Sequence, residues 1–115
     1  MQIDIKGRNV AVTSEMRGHL ERRLVKVARQ VSEFARLEVE LSTEPNPRVA
    51  DRQVAEGTLY LKGVTLRARD ASPEMHHSLN MVVDEIARQV KRHRDKRRAR
   101  RQTRSEASGP ASAST

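Results

Sequence analysis

At 115 residues, the chain has room for one domain with a modest core and not for two. It contains no cysteine, which excludes a disulfide framework and a zinc–thiolate site, and no apolar run approaches the ~20 residues of a membrane span. The net charge of +8 is concentrated, because Arg88 to Arg104 holds ten Lys/Arg against the single acid Asp95 and leaves the rest of the chain at −1. A near-neutral body with a cationic arm calls for an anionic partner.

In chain order, Ile3 and Ile5 alternate with Gln2, Asp4 and Lys6, which predicts a half-buried first strand closed by a turn at Gly7-Arg8-Asn9. The start carries no apolar leader, so neither secretion nor a membrane anchor is expected and the cytoplasm is the expected location. Thr13 or Ser14 can cap a first helix, with Glu15 in its first turn and Met16, Leu20, Leu24, Val27 and Val31 as its apolar stripe. Leu37, Val39 and Leu41 alternate with Glu38, Glu40 and Ser42 in a second strand that ends at Glu44-Pro45-Asn46-Pro47. A third strand follows from Val54 to Lys62, and Gly63 turns the chain into a fourth through Val64, Leu66 and Ala68. Ser72-Pro73-Glu74 supplies a cap, a proline at the first helical position and an acid for a second helix, whose stripe is Met75, Leu79, Val82, Val83, Ile86 and Val90. Past Val90 only Ala99 is apolar before Arg104, so this helix is expected to project beyond the core and fray into a disordered Ser105–Thr115 tail.

The order β-α-β-β-β-α predicts an α+β domain in which a four-stranded sheet carries both helices on one face. On the other face, Glu38 and Glu40 beside Thr65, Arg67 and Arg69 give a mixture of signs that suits phosphates poorly. Binding is therefore expected on the helical side. Helical spacing places Arg22, Lys26 and Arg29 opposite the first stripe with Arg23 at its flank, and turns Arg88, Lys91 and Arg92 away from the second. Arg94, Lys96, Arg97 and Arg98 encircle the projecting end. If the helices pack side by side, the two basic patches merge into one phosphate-binding surface. Exposed helix faces are commonly rich in Lys/Arg for solubility alone, and for the first helix that reading and phosphate binding both stay open. It does not suffice for Arg88–Arg104, where ten cations repel one another unless an anion relieves them.

Catalytic and metal chemistry find no support. His76 and His77 are adjacent, so their rings diverge on a helix and read as surface residues; His19 and His93 are isolated. Glu38 and Glu40 fit an exposed strand face rather than an acid/base pair, and the five scattered glycines build no phosphate loop. Neither an enzyme, a cofactor, a metal nor a small-molecule substrate is expected. Phe34 and Tyr60 are the whole aromatic content, too few for a ladder of stacked bases, so recognition is expected through phosphates and shape.

The opening Met1-Gln2-Ile3-Asp4-Ile5-Lys6-Gly7-Arg8-Asn9-Val10, with Thr13 after it, resembles the ribosome hibernation-promoting factor and ribosome-associated inhibitor A family. So does Ile86-Ala87-Arg88-Gln89-Val90 followed by Lys91-Arg92-His93-Arg94-Asp95-Lys96, and the resemblance spans about Met1 to Lys96. It implies a fold like that of double-stranded RNA-binding domains, seated in the decoding region of the small ribosomal subunit on 16S rRNA. There it would block mRNA and tRNA and silence idle ribosomes in stress or stationary phase. The family's RNA contacts fall on Arg23, Lys26, Arg88, Arg92, Arg94 and Lys96 of this chain; Arg22, Arg29, Lys91, Arg97 and Arg98 come from helical spacing instead. Where the family has Asp-Met-Tyr and a later Asp, this chain has Glu74-Met75-His76 and Asn80. Residues 1–98 read as the ribosome-binding domain, and 99–115 as a basic stretch followed by a Ser/Ala-rich tail or the start of a linker. A domain that pairs ribosomes would have to lie beyond it. Arg97–Arg104, with no core expected beneath it, should add affinity without specificity. A generic double-stranded RNA-binding module and a protein-interaction domain with a basic arm are the competing readings.

Overall fold

The computed structural model describes residues 1–108, with side chains through Thr103. Strand β1, Gln2–Arg8, runs through Gly7, and the turn falls instead on Asn9, which takes a φ of 60°, a region asparagine tolerates better than most residues. Helix α1, Ser14–Arg23, starts at Thr13, whose hydroxyl accepts the Met16 N–H at 3.1 Å. The single helix expected through Val31 is divided at Leu24 (φ −89°, ψ −2°), after which α2 covers Val25–Gln30. The break is shallow: Leu24 N–H still donates to the Leu20 carbonyl and Ala28 N–H to that of Leu24. Leu20, Leu24 and Val27 therefore stay on one buried stripe.

Strands β2 (Arg36–Thr43), β3 (Gln53–Leu61) and β4 (Val64–Ser72) complete a sheet of order β1-β2-β3-β4. β1 and β2 are parallel, which requires a crossover, and α1 and α2 supply it; the other two pairings are antiparallel. Lys62-Gly63 makes the two-residue turn between β3 and β4, with Gly63 at a φ of 80° where a side chain would be strained. The sheet is α+β with all helices on one side. Its inner face (Leu37, Val39, Leu41, Ala55, Leu59, Ala68) meets Leu20, Leu24 and Val27 on one flank and Met75, Leu79, Val82, Ile86 and Val90 on the other. Gly57 sits directly under α3, where an added Cβ would lie 3.0 Å from Val82, so the missing side chain sets how closely the helix approaches.

Helix α3 spans Met75–Ser108, 34 residues. It begins two positions later than the Ser72-Pro73 signal implies, because Ser72 is still paired in β4 and Pro73-Glu74 form a bend. The buried Ser72 hydroxyl accepts the Glu74 N–H at 3.3 Å and lies 2.7 Å from the hydroxyl of Ser78, which is wholly buried and donates to the Gln53 carbonyl at 2.6 Å. That chain of bonds anchors the start of α3 to β3. Beyond Val90, its last core residue, the helix continues through Ser105, where fraying was expected, to Ser108, a further reach of about 27 Å at 1.5 Å per residue. The molecule is consequently elongated, 69 × 28 × 19 Å. The remainder of the expected tail, 109–115, lies outside the described residues.

Candidate nucleic-acid interface

The open sheet face is a lattice of opposite charges. Lys6 and Arg8 pair with Glu40, Arg36 with Glu38, and the Tyr60 hydroxyl donates to Glu38 at 3.2 Å beneath the Arg36 guanidinium. β3 separates β2 from β4, so Glu40 faces Glu56, which in turn faces Arg69; Arg67 and Arg69 are one strand further from Glu38 and Glu40 than the sequence implied. These pairs are exposed and contribute little to stability, yet they leave little net field for an anion.

On the helical side, α1 and α3 lie side by side. His19 Nε2 is 2.7 Å from Asn80 Oδ1, and one turn later Arg23 reaches Asp84 at 3.4 Å. The equal step of four residues on both helices means that they run in the same direction. Past the division at Leu24, Gln30 and Val31 line the same cleft as Val90, His93 and Arg94. Helix α2, which carries the exposed Lys26 and Arg29, thus leads into the cleft that the Val90–Arg94 part of α3 lines, the juxtaposition on which a single basic surface depends. Gln89 fixes the register of that stretch on the sheet by donating to the Arg67 carbonyl at 2.7 Å.

The candidate cations differ in what holds them. Arg22, Lys26, Arg29, Lys91, Arg92, Lys96, Arg97 and Arg98 are exposed, and among the described residues none is ion-paired. Arg88 is engaged: its guanidinium holds Glu85 at 2.6 and 3.0 Å, and that hydrogen bond, helped by Gln89 and the nearby Arg92 charge, lowers the Glu85 pKa below its usual 4.5. Arg23 is shared with Asp84. Arg94 is half-buried, and its Nε is buried without a hydrogen-bond partner. Arg94, Arg97 and Arg98 do not simply ring a bare helix end, since all three line a cleft with Phe34 and Leu61.

The histidines also differ from expectation. His19 and His76 are not isolated surface groups: their rings meet edge to face at 5.0 Å between α1 and α3, and both are half-buried. Asn80 closes the same seam through His19. Among the described residues there is no cluster of three potential metal ligands and no helix long and apolar enough to cross a membrane.

The family model described as sigma 54 modulation protein / S30EA ribosomal protein matches residues 3–98. A ribosome hibernation promotion factor of Picosynechococcus is 35% identical over 97 residues, covering 84% of this chain and 50% of that protein. A ribosome hibernation promoting factor of Salmonella typhimurium is 27% identical over 96 residues, covering 84% of this chain and 96% of the relative. The chain thus spans half the length of the first relative and nearly all of the second. The Protein Y N-terminal domain of Thermus thermophilus superposes with a TM-score of 0.68 at 26% identity over 81% of this chain and 99% of that one. A ribosomal subunit interface protein of Coxiella burnetii, at 15% identity and a TM-score of 0.69 over 83% and 99% of the two chains, shares the fold. The matched segment contains all four strands and α3 as far as Arg98, and this chain belongs to the sigma 54 modulation protein / S30EA ribosomal protein family.

Proposed function

We propose that the chain is a ribosome hibernation factor that binds the small subunit through 16S rRNA phosphates in the decoding region and blocks mRNA and tRNA by occupying their path. The observation that carries this reading is the packing of α1 and α2 beside α3, which puts the exposed Lys26 and Arg29 and the exposed Lys91 and Arg92, none of them ion-paired among the described residues, on neighbouring helices away from the ion-paired sheet face. The hibernation factors to which the chain is similar support the ribosome as partner. A rigid domain with a basic face suits folded RNA, where phosphate contacts fix position and orientation. Its action is exclusion, for which no chemistry and no cofactor are needed. The contacting residues are Arg22, Arg23, Lys26 and Arg29 on the first two helices and Arg88, Lys91, Arg92, Arg94, Lys96, Arg97 and Arg98 on α3, with Arg23 and Arg88 exchanging their acidic partners for phosphate.

Addition to a cell-free translation system tests the proposal. Initiation on a reporter mRNA should fall as the chain approaches stoichiometry with small subunits, and excess initiator tRNA and mRNA should relieve it. Undiminished translation at several-fold excess of the chain would refute the reading. Equal affinity for generic RNA duplexes and for small subunits would replace it with a stand-alone duplex-binding module.

A further inference from the structure

The inner stripe of α3 does not stop with the core. Leu79, Val82, Val83, Ile86 and Val90 recur at helical spacing and are buried; the same spacing continues through Arg94, Arg97 and Arg101. With Arg98, these arginines overhang the end of the sheet and form one side of a cleft of about 750 Å³. Val31, Phe34, Ala35 and Leu61 form an apolar side, Lys62 adds another cation, and no Asp or Glu lines the cleft.

Folding alone leaves two features of this cleft unexplained. Phe34 is 88% exposed, an apolar ring standing in water beside an apolar surface. Arg94 Nε is removed from water with nothing to donate to, although a buried guanidinium nitrogen ordinarily has an acceptor. An apolar residue at either 94 or 97 would have extended the core. An anion carried on a flat apolar group would cover the ring and give an acceptor to the Arg94 guanidinium, which lines the cleft and makes no hydrogen bond among the described residues.

We infer that the cleft takes one unpaired nucleotide of the bound RNA, with its base stacked on Phe34 and its phosphate held by Arg94 and Arg97. The volume falls in the roughly 300–1,000 Å³ range of sites that enclose a small-molecule-sized group. Guanidinium forks match phosphate oxygens, and an aromatic ring accepts the π face of any base. A nucleotide ties its plane and its charge together at a short fixed separation, and this cleft offers both an apolar and a cationic lining; an acidic peptide has no such fixed pairing. The inference rests on the RNA-binding reading above and deepens it, adding a single-stranded subsite to a surface otherwise built for phosphates and shape.

Two 5′-labelled RNA hairpins test it, one with a single unpaired nucleotide in its stem and one fully paired, titrated with the whole chain by fluorescence anisotropy while co-sedimentation with purified small subunits is measured in parallel. The wild type should prefer the bulged hairpin. Phe34→Ala should lose roughly 5- to 150-fold on that probe alone, the range that base–aromatic stacking supplies, and Phe34→Tyr should keep the preference. Arg94→Gln should weaken the bulged probe more than the paired one. Equal binding of both hairpins by the wild type, a comparison that depends on no variant, would overturn the inference, as would equal losses on both probes with Phe34→Ala. Displacement of neither hairpin but saturable binding of a Glu- and Trp-rich peptide abolished by Phe34→Ala would overturn it in favour of a protein partner. If small-subunit binding persists while the preference is absent, the subsite alone fails; if both are absent, the ribosomal reading fails with it.

Discussion

At the scale of single residues, the cations of this domain are not equivalent, and their partners predict how each behaves. Lys26 and Arg92 are exposed with no ion pair among the described residues, so Lys26→Gln and Arg92→Gln should each flatten the dependence of log affinity on log salt by roughly 0.7–0.9, the slope that one neutralised phosphate supplies. Arg88 is held by Glu85 at 2.6 Å, so a phosphate would have to displace a carboxylate to reach it. The Glu85 pKa is lowered in the folded chain, which fixes the sign of its pH dependence. The pair adds stability above the carboxylate's ordinary pKa of 4.5 and loses it as pH falls through the lowered folded value. Glu85→Gln should therefore melt slightly below the wild type at neutral pH, and thermal melts of the two should converge on acidification below pH 4.5. The same substitution releases Arg88 and should tighten RNA binding at neutral pH, measured by the same titration.

At the scale of elements, α3 does two jobs along one length, and truncation separates them. Its core contacts end at Val90, so a chain ending after Lys96 should keep the melting temperature of the full chain while its salt dependence shallows and its preference for a bulged hairpin weakens. Changes beneath the helix act in the opposite way. Gly57→Val places a side chain against Val82, where even a Cβ would lie at 3.0 Å, and should cost about 1–3 kcal/mol in denaturant unfolding as α3 is forced from the sheet. Ile86→Ala empties a fully buried site and should cost about 2–5 kcal/mol. The stripes that identify these elements are legible because period is a one-dimensional property: Leu20, Leu24 and Val27, or Leu79, Val82 and Ile86, declare a helix face without knowledge of what covers it. The division at Leu24 has no such mark, and the start of α3 is displaced because pairing in β4 holds Ser72, which a local capping signal does not register.

At the scale of the whole molecule, the four-stranded sheet with its helices on one side follows from alternation and turn chemistry, whereas the functional surface depends on which helix lies beside which. The basic rows on Arg22–Arg29 and Arg88–Arg98 are visible in the sequence. Their junction through His19–Asn80 and Arg23–Asp84 is a tertiary fact between residues 61 positions apart. The arginine-lined cleft is half legible, since Arg94, Arg97 and Arg101 continue the spacing of the apolar stripe, but Phe34 enters it from the turn between α2 and β2 and carries no local sign. Under the proposed function this helical face, and not the sheet face, meets small-subunit RNA. The most direct measurement is co-sedimentation with purified small subunits across a salt series, comparing the wild type with Lys26→Gln/Arg92→Gln and with Lys6→Gln/Arg8→Gln on the opposite face. The wild type should show steep salt dependence, the helical pair a slope lower by roughly 1.4–1.8, and the sheet pair no change. A shallower slope with the sheet pair, or no association at moderate salt, would contradict it.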